Sequence, residues 1–169
     1  MQKFCKDCGQ PVLPRDFDLL VCENKHENWI NPAPCSMVYI IKGNQVLFGV
    51  RSIEPGIGLL DAPGGYIKPH ETAEEAAIRE TKEELGVHII VRDYLGSYNT
   101  ETLDYQRALT MVFVADHISG DIKPGDDMNG GDAVWRSIDD LPGRNELSWK
   151  WQEQSQADLQ TWFNARKKK

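Results

Sequence analysis

Apolar residues occur along this chain in short runs of strand length, separated by turns and polar segments. Runs that are apolar at successive positions, as at 36–41 and 108–115, predict strands buried on both faces of a sheet. The turn residues Gly43–Asn44 predict a hairpin after the first of these runs. On these grounds we predict strands at 36–41, 45–50, 87–91, 108–115 and 133–135. Two shorter strands and a turn are predicted between Gln10 and Val21.

Two segments predict helices. The first begins at Thr72, because Thr72-Ala-Glu-Glu75 matches a capping box, in which a hydroxyl and a carboxylate each accept a hydrogen bond from a free backbone N–H. It ends at Gly86, since glycine readily takes the left-handed conformation that follows a helix. The second helix is predicted over 149–163. These strands and helices together indicate a protein of α and β structure.

Prolines and charge divide the chain. The segment Asn31-Pro-Ala-Pro34 favours extended backbone and predicts a boundary between a small module at 1–33 and a main domain at 34–165. The basic run at 166–169 predicts a solvated tail.

Composition narrows the classes of partner. The chain has 169 residues and a net charge of −7, whereas electrostatic binding to nucleic acid needs a basic surface. We therefore expect no nucleic-acid partner. No apolar run reaches the roughly 18 residues that span a bilayer, and the N-terminus lacks the apolar region of a signal peptide. We expect a cytoplasmic protein with no membrane partner, whose four cysteines form no disulfides.

The N-terminal cysteines have metal-ligand spacing. Cys5 and Cys8 form a Cys-x2-Cys pair followed by Gly9, and Cys22 with His26 forms a Cys-x3-His pair. Together, Cys5, Cys8, Cys22 and His26 predict a closed, tetrahedral, structural Zn²⁺ site. Cys35 is the competing fourth ligand, although its spacing is poor for such a site. Four reduced cysteines without metal are the alternative interpretation.

Three glutamates share one face of the first predicted helix. Glu80, Glu83 and Glu84 stand at i, i+3 and i+4, where like charges destabilise a helix. A divalent cation removes this repulsion, and Mg²⁺ takes its ligands from carboxylates, waters and substrate phosphates. The segment therefore predicts a metal platform for phosphate chemistry, with a solvated acidic face as the alternative.

The spacing around these glutamates resembles the Nudix box, G-x5-E-x7-R-E-U-x-E-E-x-G-U, where U is a bulky apolar residue. Thr81 departs from the first U position, which affects packing more than chemistry. The matching residues are Gly65, Glu71, Arg79, Glu80, Glu83, Glu84, Gly86 and Val87. The resemblance extends over about 34–165 and implies an α/β/α sandwich with a mixed sheet. Many Nudix proteins also carry a zinc ribbon like the module at 1–33, although here Lys25 stands where the fourth cysteine is expected.

The resemblance also implies roles for individual residues. Glu80, Glu83, Glu84 and the Gly65 carbonyl would bind Mg²⁺ or Mn²⁺, and Arg79 would orient the acidic cluster through a bidentate pair. Glu71 would support the junction of loop and helix, and Arg51 would meet substrate phosphates. Tyr105 is a weaker substrate-binding candidate. The general base stays open between a box glutamate and four loop carboxylates, which are Glu101, Asp104, Asp126 and Asp127.

The activity implied is metal-dependent hydrolysis of the P–O–P bridge in a nucleoside diphosphate derivative. An ADP-ribose-like nucleotide or a dinucleotide is the expected substrate. The tail motif of NADH-cleaving members, Ser-Gln-Pro-Trp-Pro-Phe-Pro, is absent after the box. Two alternatives are a regulatory Nudix protein that senses nucleotides without turnover and a docking protein that acts through the ribbon. Homodimers are frequent in the family, and the sequence leaves the oligomeric state open.

Overall fold

The computed structural model describes residues 3–101, 107–123, 125, 128 and 132–167. It divides the chain into two compact units, with the division between Pro32 and Ala33. This lies one residue before the predicted boundary. The strands and helices of the described residues are β1 Val12–Pro14, β2 Leu19–Cys22, β3 Glu27–Trp29, β4 Ala33–Lys42, β5 Gln45–Val50, β6 Leu60–Asp61, β7 Gly64–Tyr66, α1 Ala73–Leu85, β8 His88–Glu101, β9 Arg107–Ser119, β10 Ala133–Ser137 and α2 Gln152–Lys167.

The first unit contains a small antiparallel sheet in the order β1-β2-β3. Its pairings place Val12 opposite Cys22 and Leu20 opposite Asn28. Because side chains alternate between the faces of a strand, these residues share one face of the sheet. All four are buried. The two strands predicted between Gln10 and Val21 correspond to β1 and the start of β2, and β3 is an addition to that prediction.

The second unit is built on a mixed sheet whose main path is β10-β5-β4-β9-β8 among the described strands. β4 and β9 are parallel, with Val38 opposite Phe113, while β4 and β5 form the hairpin predicted at Gly43–Asn44. The two short strands beside the main path are β6, which pairs with β5, and β7, which pairs with β4. The sheet is therefore mixed, as the resemblance implied.

The two faces of β4 pack against different helices. Met37, Tyr39 and Ile41 belong to a core cluster that includes Leu159 of α2. Val38 and Ile40 belong to a second cluster that includes Leu85 of α1. This alternation explains why the run at 36–41 is apolar at successive positions. The predicted α/β/α sandwich is confirmed, with one helix on each face of the central strand.

The predicted bounds of α1 are confirmed in detail. Thr72 is the N-cap, and both hydrogen bonds of its capping box with Glu75 are formed. Gly86 is the C-cap in the left-handed conformation, at φ 72°. The prediction for β8 was too short, because the strand that was expected to end at Val91 continues to Glu101. β8 pairs with β9 through several register shifts, and these irregularities hide the strand from a search for regular alternation.

The second helix lies further along the chain than predicted and includes part of the expected tail. α2 begins at Gln152 and extends to Lys167. The guanidinium of Arg166 lies 4.3 Å from the ring centroid of Trp162, and the Lys167 Nζ lies 4.7 Å from that of Phe163. Arg166 and Lys167 therefore belong to the helix and contact its aromatic side chains, although both remain exposed. Neither α1 nor α2 has the length and apolar character to cross a membrane, nor does any other helix of the described part.

Thr81, the residue that departs from the box pattern, provides a test of packing. Its side chain is fully buried, and its hydroxyl has no hydrogen-bond partner. Replacing it with valine removes an unsatisfied polar group while preserving shape, so Thr81→Val should raise the free energy of unfolding by about 1 kcal/mol. Chemical denaturation measures this change. The matched control is Thr161→Val, because the Thr161 hydroxyl is exposed and donates to Ala157 O at 3.0 Å. A loss of stability in Thr81→Val would contradict this account of the packing.

Candidate active site and candidate metal centre

The acidic face of α1 is fixed at both ends of the helix. At the N-terminal end, the buried Ser36 of β4 donates from Oγ to Ala73 O at 2.7 Å. At the C-terminal end, Gly125 N donates to Glu84 O at 2.8 Å and Lys123 N to Leu85 O at 2.9 Å. The bonds to Glu84 O and Leu85 O satisfy carbonyls of the last turn, which have no partner within the helix, and the bond from Ser36 ties the first turn of α1 to β4. The glutamates are therefore presented from a rigid element.

Arg79 is the centre of the acidic cluster. Its guanidinium makes a bidentate pair with Glu71, from Nε to Oε2 at 2.9 Å and from Nη2 to Oε1 at 2.5 Å. Its Nη1 lies 2.7 Å from Glu80 Oε1 and 2.9 Å from Glu83 Oε2. Nη2 also donates to Tyr66 O at 3.1 Å. One planar cation thus positions three carboxylates and the loop that precedes the helix, and planar bidentate pairing adds geometric specificity.

The glycine turn approaches the acidic face closely. Gly64 N donates to Glu84 Oε2 at 2.9 Å. Gly65 lies in β7 opposite Ser36, and a β-carbon at Gly65 would lie 2.4 Å from Glu80 Oε1. A side chain cannot be accommodated there without moving the carboxylate. Glycine at this position therefore allows the loop backbone to lie against the helix carboxylates.

Charge pairing shifts the protonation equilibria in the cluster. The hydrogen bonds from Arg79 lower the pKa of Glu71 from its ordinary value of 4.5 to about 2, and the Lys68 backbone N–H assists at 2.7 Å. The same pair raises the pKa of Arg79. Glu71 is therefore an ionised structural partner of Arg79 at neutral pH and is not a candidate for a general acid.

Arg51, the predicted phosphate contact, makes other contacts. Its Nη1 lies 3.0 Å from Asp61 Oδ2, and its Nε donates to Pro55 O at 2.8 Å. The side chain is 13% exposed. Trp149 lies beside it, with 5.6 Å from the guanidinium carbon to the ring centroid. The structure thus gives Arg51 a partly buried, paired environment that the sequence reasoning did not foresee.

Several predicted site residues lie outside the described residues. These are Tyr105, Asp104, Asp126 and Asp127, together with the side chain of Glu101. Gly125, which directly precedes Asp126 in sequence, has its N–H bonded to the last turn of α1.

Sequence reasoning missed the supporting residues Ser36 and Asp61. Neither belongs to a motif, and Ser36 occurs at the start of an apolar run. The one sequence signal that could have marked such residues is a polar side chain at a position where the apolar pattern predicts burial.

The N-terminal unit brings its four candidate ligands together. One ligand atom from each of Cys5, Cys8, Cys22 and His26 lies within 4.8 Å of all the others. Cys8 Sγ is 3.7 Å from Cys22 Sγ, and Cys5 Sγ is 3.7 Å from His26 Nδ1. Sulfur and imidazole ligands in a group of four are typical of a structural zinc site.

The backbone and a buried amide support this cluster. Gly9 takes φ +71° in the first turn, and Lys25 takes φ +64° in the second, just before His26. Asn28 is buried, and its Nδ2 donates to Cys5 Sγ at 3.4 Å and to His26 O at 3.2 Å. A side chain that bonds both to a ligand and to the chain next to a ligand fixes the geometry of such a group.

Cys35, the competing fourth ligand, lies in the second unit. It is in β4, opposite Tyr66 of β7 and Thr110 of β9. Burial raises the pKa of its thiol to about 11, and the negative charge of Glu80 adds to the effect. Among the described residues it belongs to no cluster of metal-ligating side chains.

Comparison with known proteins identifies the family. The model of the NUDIX domain matches residues 31–159. An ADP-ribose pyrophosphatase from Methanocaldococcus jannaschii is 34% identical over 119 residues, which cover 70% of this chain and 69% of that protein. The NAD-capped RNA hydrolase NudC from Pseudomonas aeruginosa is 30% identical over 143 residues, which cover 83% of this chain and 49% of that protein.

Solved structures agree on the fold. A NUDIX hydrolase from Nitrosomonas europaea matches with a TM-score of 0.76 and 23% identity, over 98% of this chain and 92% of that one. The chain spans about half the length of the NudC proteins that it matches.

The pair between Arg79 and Glu71 predicts a dependence of stability on pH. The pKa of Glu71 is lowered in the folded state, so its contribution is fully present above about pH 4.5 and is lost as the pH falls towards 2. Glu71→Gln should therefore lower the melting temperature at pH 7 and flatten its decline between pH 4.5 and 2. The control is Glu74→Gln, which changes an exposed residue of the first turn of α1. Equal acid sensitivity in Glu71→Gln and wild type would contradict the paired assignment.

Proposed function

The chain belongs to the Nudix family, and on that premise we propose that it is a divalent-metal-dependent pyrophosphohydrolase acting on a nucleoside diphosphate derivative. The observation that carries the proposal is the convergence of a glycine turn with Glu80, Glu83 and Glu84 on the acidic face of α1. Gly64 donates to Glu84 at 2.9 Å, and Gly65 lies against Glu80. A purely solvated acidic face would not need this close packing.

The donor set fits a hard divalent cation. Glu80, Glu83 and Glu84 offer carboxylate oxygens, which Mg²⁺ and Mn²⁺ prefer, and the Gly65 carbonyl is the proposed further ligand. Arg79 contacts one oxygen of Glu80 and one of Glu83, so each carboxylate keeps a second oxygen outside that pair. When bound, the metal would acidify a water molecule and neutralise charge on the leaving phosphate.

The remaining roles belong to the residues of the chain. Arg79 holds the carboxylates in register and compensates part of their mutual repulsion. Glu71 keeps Arg79 in place through two hydrogen bonds. The Gly64 N–H orients the Glu84 carboxylate, which we assign as the box glutamate that accepts a proton from the attacking water. The site therefore acts by positioning and by electrostatic stabilisation.

An ADP-ribose-like nucleotide is the substrate that we favour. Support comes from the archaeal relative named as an ADP-ribose pyrophosphatase, which shares 34% identity over 70% of this chain. A second candidate is a dinucleotide of the NAD type, because relatives named as NAD-capped RNA hydrolases match over 83% of the chain. The net charge of −7 favours a free nucleotide over a long RNA for this chain.

We also propose that Cys5, Cys8, Cys22 and His26 bind a structural Zn²⁺ ion. The approach of all four ligand atoms to within 4.8 Å supports the proposal. The buried core of this unit is small, consisting of Cys5, Val12, Leu20 and Cys22 with Cys8 packed against them. A unit of about 30 residues normally needs a metal or disulfides to remain folded.

Glu84 provides the most direct test of the proposed chemistry. Glu84→Gln keeps an oxygen that can accept from Gly64 N–H but removes the charge, so kcat should fall by at least ~100-fold. Formation of AMP from ADP-ribose and from NADH, with Mg²⁺ and with Mn²⁺, measures the loss, because cleavage of either diphosphate bridge yields this mononucleotide. The control is Glu74→Gln, a substitution on the same helix that should leave kcat unchanged. Near-normal turnover in Glu84→Gln would refute the assignment.

Elemental analysis tests the zinc proposal. The purified chain should contain about one zinc per molecule, since a Cys₃His site binds one ion. Cys22→Ser removes a proposed ligand and should abolish the bound zinc, while Cys35→Ser, a cysteine outside the cluster, should retain it. Zinc that is absent from the wild type, or that is lost in Cys35→Ser, would contradict this ligand set.

A further inference from the structure

A buried carboxylate lies at the start of the segment that carries the glycine turn. Asp61 in β6 is 5% exposed. Its Oδ2 accepts from Arg51 Nη1 and from Trp149 Nε1, both at 3.0 Å, and its Oδ1 accepts from Gln152 Nε2 at 2.6 Å. Asp61 therefore joins the end of β5, the segment before α2 and the first residue of α2.

Only Ala62 and Pro63 separate Asp61 from Gly64 of the candidate active site. Pro63 O accepts from Val38 N of β4 at 3.0 Å, and Gly64 N donates to Glu84 Oε2 at 2.9 Å. Three steps of even fully extended chain span at most about 10 Å, so Asp61 lies close to Gly64. Because this short segment is bonded at both ends, a displacement of Asp61 is passed on to Gly64.

The buried network around Asp61 is better suited to fixing the positions of its members than to adding stability. Burial raises the pKa of Asp61, while the Arg51 charge and the three hydrogen bonds act in the opposite direction. Apolar residues of similar volume often stabilise a core as well as, or better than, a buried ion pair. A directional network, in contrast, fixes the position of its members, because each hydrogen bond has a narrow range of geometry.

We propose that Asp61 is a positioning residue for the metal-binding loop. Through its contacts with Arg51, Trp149 and Gln152, it holds Gly64 against Glu84 and Gly65 against Glu80. The expected effect of Asp61 on metal affinity rests on the proposed function. Its expected effect on the position of the loop backbone does not. In this role Arg51 is a partner of Asp61 on the side of the sheet that faces α2.

Hydrogen exchange of the Gly64 amide is the readout that does not require metal. Asp61→Asn keeps the size of the side chain but removes the charge opposite Arg51, so exchange at Gly64 should become about 10-fold faster. The control is Tyr39→Phe, which deletes the 2.7 Å hydrogen bond between Tyr39 and Ser155 in the same buried layer. That bond does not involve segment 60–65, so Gly64 should exchange as in wild type.

Affinity for Mn²⁺ is the second readout. The dissociation constant for Mn²⁺, measured by electron paramagnetic resonance, should rise about 10-fold in Asp61→Asn and stay within about 2-fold of wild type in Tyr39→Phe. Trp149→Phe removes one of the three donors and keeps an aromatic ring beside Arg51. Trp149→Phe should raise the exchange rate of the Gly64 amide and the dissociation constant for Mn²⁺ by smaller factors than Asp61→Asn. It provides the test if Asp61→Asn does not fold.

The outcomes separate the two proposals. If Asp61→Asn, or Trp149→Phe in its place, matches Tyr39→Phe in Gly64 exchange and in Mn²⁺ affinity, the positioning role is overturned. If the wild type binds no Mn²⁺ and hydrolyses no nucleotide, the proposed function fails, and Gly64 exchange alone then decides the role of Asp61.

Discussion

The carboxylates on and before α1 repel one another, and the arrangement of the candidate active site depends on how that repulsion is compensated. Glu71, Glu80 and Glu83 all contact one guanidinium, that of Arg79, at distances of 2.5 to 2.9 Å. Without a positive partner, such a cluster would destabilise α1 and the loop before it. Arg79 compensates part of this repulsion within the chain. We propose that the repulsion that Arg79 leaves uncompensated favours the binding of a divalent cation.

The features that the sequence predicts well are those determined by neighbouring residues. The capping box of Thr72 and Glu75 and the left-handed Gly86 depend on backbone chemistry within a few residues, and both were predicted correctly. The alternating faces of β4 explain the unbroken apolar run at 36–41. The box motif also marked Glu71, Arg79, Glu80 and Glu83, which are in contact with one another in the structure.

The features that the sequence predicts poorly depend on distant partners. β8 was expected to end at Val91, but pairing with β9 extends it to Glu101 despite the exposed, mixed character of its sequence. Arg51 was predicted as a contact for substrate phosphates, and its pairing with Asp61 in the fold could not be foreseen from the sequence. A residue such as Asp61, which bonds to groups 10, 88 and 91 positions away, leaves no local pattern. Burial of an isolated polar residue within an apolar context is the only hint that a sequence can offer.

The central claim is that the carboxylates of α1 bind a divalent cation and, through it, a diphosphate. Anomalous diffraction from crystals grown with Mn²⁺ and a non-hydrolysable ADP-ribose analogue tests this claim most directly. The account predicts an anomalous peak within coordination distance, about 2.2 Å, of oxygens from Glu80, Glu83 and Glu84, with the diphosphate on its open side. A map without a peak at this position, or one in which the three carboxylates point apart into solvent, would contradict it.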